Sequence, residues 1–291
     1  MEGICPCARA PAQQRTTAAD LRTQIDLPFL ERMPMLLIIQ HAAVANLREL
    51  RPPQKSMLII PTHNERENIA TLVARIRKAA GSEPIFFVDD NFPDGTAVEI
   101  RRLQQQYPDI HLLPPPGKGG YGSACREAMK KILDENLAPY VIQSDSDLSH
   151  PPELLPRKME MLKSHEVVIG SRYVAGGGTQ NWSFRRKILS FCVNLYARLL
   201  TGVAVHDMTA GFVGYQANTL RKVRLHEIKS EGYAFLMEMK VELHRQGARF
   251  AEFPITFVER ASEISKFSRK VVFEGVKFPL RAMLKRGQRP H

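Results

Sequence analysis

Long apolar runs are missing from this chain. None approaches the ~20 residues needed to cross a bilayer. The nearest, LLIIQHAAVA at 36–45, is short, is interrupted by Gln40 and His41, and starts too far from Met1 for a usual secretory leader. Any membrane contact is therefore expected to be peripheral. Cysteine is also scarce, with four residues (Cys5, Cys7, Cys125, Cys192) at scattered positions that match no metal-ligand spacing. That argues against a disulfide scaffold and makes a reducing compartment the default. No internal repeat is visible, which sets aside solenoids and propellers. Acidic residues fall short of basic ones, 30 against 41, for a net charge of +11. Such a surplus favours anionic partners, namely nucleic acid, anionic lipid or phosphorylated metabolites, without choosing among them.

What is present is ordinary globular material, 44% apolar and 24% charged over 291 residues. Residues 1–55 have weak periodicity and read as a poorly ordered extension with one short helix near 35–50. From Met57 onward short apolar runs alternate with helical patterns. MLIIPT, PIFFVDD, IHLLPP, YVIQSDSD and EVVIGSRY read as strands. ERENIATLVARIRKAA, DGTAVEIRRLQQQY and a segment from about Ser123 to Asp134 read as helices between them. This alternation predicts an α/β fold with a doubly wound, Rossmann-like, mostly parallel sheet and helices on both faces.

Further on, AGGGTQNW reads as a mobile glycine-rich loop. FRRKILSFCVNLYARLL at 184–200 reads as a helix with a broad apolar face, along which Arg186, Ser190 and Asn194 share one polar edge. A strand (GFVGYQ), a helix from about Ala234 to Gln246 and a strand (ARFAEFPITFV) follow. The tail from Lys266 to His291 carries eight basic residues and one acidic residue around the amphipathic stretch VVFEGVKFPLRAML. It fits either a solvated helix on the domain surface or a membrane-surface segment, where each Lys or Arg adds roughly 1 kcal/mol near anionic lipid.

Ligands of doubly wound sheets bind at the carboxyl ends of the strands. Each polar cluster here, PTHNE, DDNFPDG, SDSDLSH and GSRY, follows such an end. Asp145 and Asp147 are two apart, so if the strand persists both carboxylates project from one face. Like charges so close need a positive partner. A hard cation such as Mg²⁺ or Mn²⁺ takes carboxylate oxygens and fills its other positions with substrate phosphates.

Nine segments in one order then bear on family: PTHNERENI, VDDNFPDGT, PGKGGYGSA, SDSDLSHPPE, VIGSRYVAGGG, NWSFRRKILS, DMTAGF, SEGYAFLMEM and PITFVER. Together, over roughly Met57 to Ser268, the chain resembles the polyprenol-phosphate (dolichol-phosphate) mannosyltransferases of glycosyltransferase family 2, which have the GT-A fold. The resemblance implies transfer of mannose from GDP-mannose to a polyprenol or dolichol phosphate, assisted by Mg²⁺ or Mn²⁺, at the cytoplasmic face of a membrane, with or without an integral-membrane subunit. It implies a catalytic domain at 56–268 and a basic tail at 269–291. By motif, Pro61, His63, Glu65, Val88, Asp90, Asp145, Ser146, Asp147, Arg172, Arg260 and Lys266 hold the donor nucleotide. Asp147 and the position of Ser149 hold the metal. Arg172, Arg186 and Ser190 hold the acceptor phosphate, and Asp145, Asp147 and Arg172 form the catalytic set.

The chain departs from the family pattern at His63, where tyrosine is common, and at Phe92, Ser146, Ser149 and Ile264. UDP-glucose or another nucleotide sugar is the alternative donor. A non-catalytic nucleotide- or nucleic-acid-binding protein is the remote alternative, with no recognition motif linking the basic residues. Lys118 fits a phosphate contact or a plain glycine-rich turn. His150 reads as a loop hydrogen-bonder, Glu238 as a structural ion-pair partner, and Trp182 as a packing or interfacial residue rather than a sugar platform. Asp207 fits either the acceptor site or a turn cap.

Overall fold

The computed structural model describes residues 55–89, 93–114, 120–259 and 269–285. The N-terminal extension, the turn holding Lys118, and the expected site residues Asp90, Arg260 and Lys266 lie outside the described residues, as do Phe92 and Ile264.

Strand β1 (Ser56–Thr62) is buried along its whole length. Its apolar run alternates between two layers. Met57 and Ile59 pack into one core, Leu58 and Ile60 into the other. That two-sided burial is what a continuous apolar strand of a parallel sheet requires. Helix α1 (Arg66–Ala80) buries Ile69, Leu72, Val73 and Ile76, a stripe at helical spacing. Strand β2 (Ile85–Asp89) and helix α2 (Thr96–Gln106) repeat the unit, followed by β3 (Ile110–Leu113). Helix α3 (Tyr121–Asp134) covers the opposite face with Ala124, Cys125, Ala128, Met129 and Ile132.

Strand β4 (Tyr140–Gln143), helix α4 (Leu155–Leu162), β5 (Val167–Ser171) and a short β6 (Gly178–Gln180) come next. Helix α5 (Phe184–Thr201), β7 (Val213–Gln216), the one-turn α6 (Ala217–Leu220), helix α7 (Gly232–Arg245), β8 (Phe250–Pro254), β9 (Thr256–Val258) and helix α8 (Arg269–Lys285) complete the order. The main sheet runs β3-β2-β1-β4-β7-β5-β8, and only β7 lies antiparallel to its neighbours. The α/β, mostly parallel expectation is met.

Three local expectations need correction. The strand at 140–147 stops at Gln143, so Asp145 and Asp147 sit on a loop and do not share a strand face. The cause is visible: the Asp145 N–H donates to His150 Nδ1 at 3.1 Å, and Leu148 takes φ 62°. The last strand is two. β8 stays in the main sheet, while β9 pairs in parallel with β6, so part of the glycine-rich 175–182 segment is a strand and not a loop. The structure also fixes the orientation of α5, which sits with its polar edge inward. Its buried residues are Asn194, Ala197 and Thr201. Its apolar side faces outward, with Phe184 76% and Leu199 71% exposed and Ile188, Leu189, Phe191 and Leu195 exposed beside them.

Helix α8 docks beside α5 and α7. The Tyr196 hydroxyl donates to the Val276 carbonyl at 3.1 Å, and Arg245 Nη2 donates to the Ala282 carbonyl at 3.4 Å. Its own outer side exposes Val276, Leu280, Met283 and Leu284. No helix of the described residues is long and apolar enough to cross a membrane.

Candidate active site

A cleft of about 560 Å³ opens at the carboxyl ends of β1, β4 and β5. Pro61, His63 and Glu65 line it after β1, and Val88 lines it from β2. Asp145, Ser146, Asp147 and Ser149 line it after β4, Arg172 after β5, and Arg186 from α5. Expected site residues from five separate segments thus reach one cavity, and the other four segments contribute further residues to its walls. Ser190 is not among its walls.

The acidic loop is held from several sides. Ser146 Oγ donates to the Pro61 carbonyl at 3.0 Å, tying it to the end of β1. Tyr121 donates its hydroxyl proton to Asp145 Oδ1 at 2.8 Å, and Gln143 Nε2 donates to the Tyr121 oxygen at 2.8 Å. His150 Nε2 lies 3.6 Å from Asp145 Oδ2. Because His150 Nδ1 accepts from the Asp145 N–H, its ring is a loop hydrogen-bonder, as expected. Burial keeps it below the usual histidine range. Burial also pushes the Asp145 carboxyl above its ordinary range, and the Asp147 charge adds to that. Gly211 packs so close that a Cβ there would meet Tyr121 Oη at 3.2 Å and both Asp145 carboxylate oxygens at 3.3 Å.

A hard cation is tested by the donors at this loop. Asp147 Oδ1 accepts the Ser149 N–H at 3.0 Å. Ser149 Oγ is buried and has no hydrogen-bond partner, which is costly unless a ligand completes it. No group of three or more His, Cys, Asp or Glu side chains stands ready to hold a metal among the described residues. Asp147 and Ser149 therefore fit a cation that takes its other oxygens from substrate phosphates and water, the habit of Mg²⁺.

The cationic wall is built differently from expectation. Arg172 is buried and locked to Asp207. Its Nε donates to Asp207 Oδ2 at 2.8 Å, its Nη2 to Asp207 Oδ1 at 2.7 Å, and its backbone N–H to Oδ2 at 3.0 Å. Asp207 is therefore the fixed counter-ion of Arg172. Burial opposes the charge on Arg172, and the adjoining carboxylate more than offsets it, holding its pKa above the ordinary value. Arg172 Nη2 also donates to Thr209 Oγ1 at 2.7 Å, and Asn194 on α5 brackets the same threonine, accepting its N–H at 3.0 Å. This explains why the polar edge of α5 turns inward.

Arg186 is ion-paired with Glu259 and lies over the Trp182 ring at 4.3 Å. Trp182 packs edge-on against Phe257 at 5.6 Å, in keeping with a packing role. Ser190 Oγ accepts from the Tyr173 hydroxyl at 2.7 Å, so the two residues expected on one phosphate, Arg186 and Ser190, are engaged with different partners. Glu238 accepts the Ser230 N–H at 3.0 Å, a loop contact rather than the ion pair expected. Sequence reasoning missed Tyr121, Gly211, Phe257 and Glu259. Tyr121 stands at the start of a helix after a glycine run, and nothing in that spacing announces a bond to a residue 24 positions on.

The fold has known company. A mannosyl-3-phosphoglycerate synthase from Rubrobacter xylanophilus superposes with TM-score 0.61 at 16% identity, over 86% of this chain and 79% of that one. A glucosyl-3-phosphoglycerate synthase from Mycobacterium tuberculosis, solved with Mn²⁺, UDP and phosphoglyceric acid, superposes with TM-score 0.57 at 14% identity, over 85% and 84%. The scaffold, with its acidic loop at the strand ends, is that of the GT-A class. Sequence goes further. The model for "Glycosyl transferase family 2" matches residues 57–224. A "Polyprenol monophosphomannose synthase" of Mycolicibacterium smegmatis is 36% identical over 82% of this chain and 92% of that protein. An "Undecaprenyl-phosphate mannosyltransferase" of Micrococcus luteus is 39% identical over 76% and 90%. The chain belongs to glycosyltransferase family 2.

Proposed function

We propose that this chain transfers mannose from GDP-mannose to a polyprenol phosphate, forming a lipid-linked phosphomannose at a membrane surface. The observation that carries it is a pairing of two features. One cleft holds an acidic, oxygen-donor loop beside Arg172 and Arg186, and the helix bearing Arg186 turns its apolar side outward. A donor diphosphate and a lipid monophosphate are both anions, and cations must offset their repulsion. The exposed faces of α5 and α8 suit the interfacial region in which a polyprenol lies. The names of the two relatives support the same substrate class.

In the proposed reaction an acceptor phosphate oxygen forms a bond to the anomeric carbon as the bond from that carbon to the GDP oxygen breaks. The acceptor is mostly dianionic at pH 7, its second pKa lying near ~6, so no general base is assigned. Displacement inverts the anomeric centre and gives a β-linked product. A divalent cation at Asp147 and Ser149 would supply charge stabilisation for the leaving diphosphate. The domain at 56–268 is taken as the catalytic unit. UDP-glucose or another nucleotide sugar is the second donor to test, because the resemblance assigns part of the base and ribose contact to Asp90, which lies outside the described residues.

The test is purified protein with labelled nucleotide sugars, Mg²⁺ or Mn²⁺, and a short polyprenol phosphate. Label from GDP-mannose is expected in the lipid fraction, with a β-linkage by NMR and loss of turnover in Asp147→Ala. Reaction with UDP-sugars alone would remove the mannose assignment, and an α-linked product would remove inversion.

A further inference from the structure

Tyr121 sets the orientation of the Asp145 carboxylate. Its hydroxyl donates to Oδ1 at 2.8 Å, and because its oxygen accepts from Gln143 Nε2 at 2.8 Å, its own proton is left for Asp145. Both partners are braced. Gln143 is fully buried at the end of β4, and the Tyr121 ring packs edge-on against Phe235 at 6.3 Å. Gly211 closes another side, since a Cβ there would meet both carboxylate oxygens at 3.3 Å. Among the described residues no second side chain donates to this carboxylate, and His150 Nε2 stands off at 3.6 Å from Oδ2. The Asp145 side chain is nonetheless 30% exposed and lines the cleft. An ionised carboxylate has about four acceptor sites. Those that Tyr121 does not use are left for water or a ligand.

We propose that Tyr121 is a positioning residue for donor recognition, holding Asp145 so that its carboxylate accepts a hydroxyl of the sugar being transferred. The proposal rests on the proposed function, in which a sugar passes between a cation-held diphosphate and an arginine-held acceptor phosphate. Asp145 lies between those two halves. Asp147, which accepts the Ser149 N–H, is two residues on. Gly211, on the other side, belongs to the segment whose Asp207 and Thr209 fix Arg172. A hydroxyl-bearing group placed there meets an acceptor that is already charged and already aimed. The fixed direction matters because a carboxylate free to rotate must be ordered by the substrate, at a cost in affinity. A site that pairs a substrate hydroxyl also rejects a ligand lacking it, since its acceptor is then left unmatched.

The experiment uses the full chain as wild type, Tyr121→Phe, Asp145→Ala, the double variant Tyr121→Phe/Asp145→Ala, and Gln143→Met. GDP-mannose and GDP are titrated by calorimetry with Mg²⁺ and without acceptor, so that binding is read without turnover and the ratio of the two affinities isolates the sugar. Transfer to polyprenol phosphate is assayed on the same wild-type preparation. In Tyr121→Phe, which keeps the ring, the ratio is expected to move against GDP-mannose by about tenfold, the scale of one lost charge-assisted hydrogen bond to the sugar. Asp145→Ala should move it at least as far, and adding Tyr121→Phe to that variant should move it no further. Gln143→Met damages the same buried contact one bond further back but leaves the tyrosine proton on Asp145, so it should lower Tm and keep the ratio. An unchanged ratio in Tyr121→Phe, an equal shift in Gln143→Met, or additive shifts in the double variant overturns the proposal, while wild-type transfer leaves the proposed function standing. A wild type that neither binds GDP-mannose nor transfers its sugar overturns both.

Discussion

Truncating Asp207 to alanine is expected to be the most damaging single change near the site that removes no residue assigned to a substrate. Asp207 is fully buried and accepts three hydrogen bonds from Arg172, at 2.7, 2.8 and 3.0 Å. Arg172 is 8% exposed and cannot recover these bonds from water. In Asp207→Ala its guanidinium keeps Thr209 Oγ1 and the aromatic surroundings of Trp182, Tyr173 and Phe257. Breaking one side of a buried pair costs about 3–5 kcal/mol, because the survivor remains charged and unpaired. Against a total stability of about 5–15 kcal/mol, that is a large fraction. Asp207→Asn keeps the shape and one acceptor and should lose less. Arg172→Met/Asp207→Leu should recover much of the loss, since both charges leave together. Urea unfolding followed by Trp182, the one tryptophan of the chain and nearly buried, measures all four proteins with one probe. Adding the single variants Arg172→Met and Asp207→Leu completes a double-mutant cycle, whose coupling should exceed about 1 kcal/mol. A loss below about 1 kcal/mol in Asp207→Ala would refute the reasoning and mean that the pair is well solvated.

Other consequences can be checked in the same way. Lys240 is fully buried, donates to the Ala210 and Leu236 carbonyls at 2.9 and 3.3 Å, and is held by burial at a pKa of about 7, below the ordinary 10.5. The unfolded chain keeps that proton to higher pH than the folded one, so stability should rise between pH 7 and 10.5, by about 5 kcal/mol at most. Lys240→Met should flatten that slope in denaturant titrations, and parallel curves for the two proteins would exclude a lysine whose proton is weakened by burial. Phe184→Ser/Leu199→Ser should leave stability within about 1 kcal/mol, since both side chains are largely exposed, yet weaken partition onto anionic vesicles at least about tenfold. Equal partition in a flotation assay would remove α5 from the membrane contact. Gly211→Ala should raise the KM for the donor with a small change in Tm, because the added methyl must displace Tyr121 or the Asp145 carboxylate. An unchanged KM would show that this loop yields freely.

The strand-helix alternation was legible because each element buries a stripe or an alternating face, and that period is written locally. The boundary errors arose where a nonlocal bond ended the local pattern. YVIQSDSD looks continuous, but His150 takes the Asp145 N–H that a longer strand would have paired. ARFAEFPITFV looks like one strand, but its second half pairs with β6. The amphipathicity of α5 was plain from its spacing, but the buried network that holds its polar edge was not. An apolar side normally turns inward, and here a buried network through Asn194 and Thr209 turns the polar edge in instead.

By itself, then, the order of residues determined the α/β class, the family motifs and the set of segments that carry chemistry, because those depend on short-range periodicity and on residue type. Only the tertiary structure decided which charges are already matched. Asp207 reaches Arg172 across 35 residues and Glu259 reaches Arg186 across 73. A charge's partner in a folded chain is set by where strand ends and loops meet in space, and Coulomb attraction between side chains takes no account of their separation along the chain.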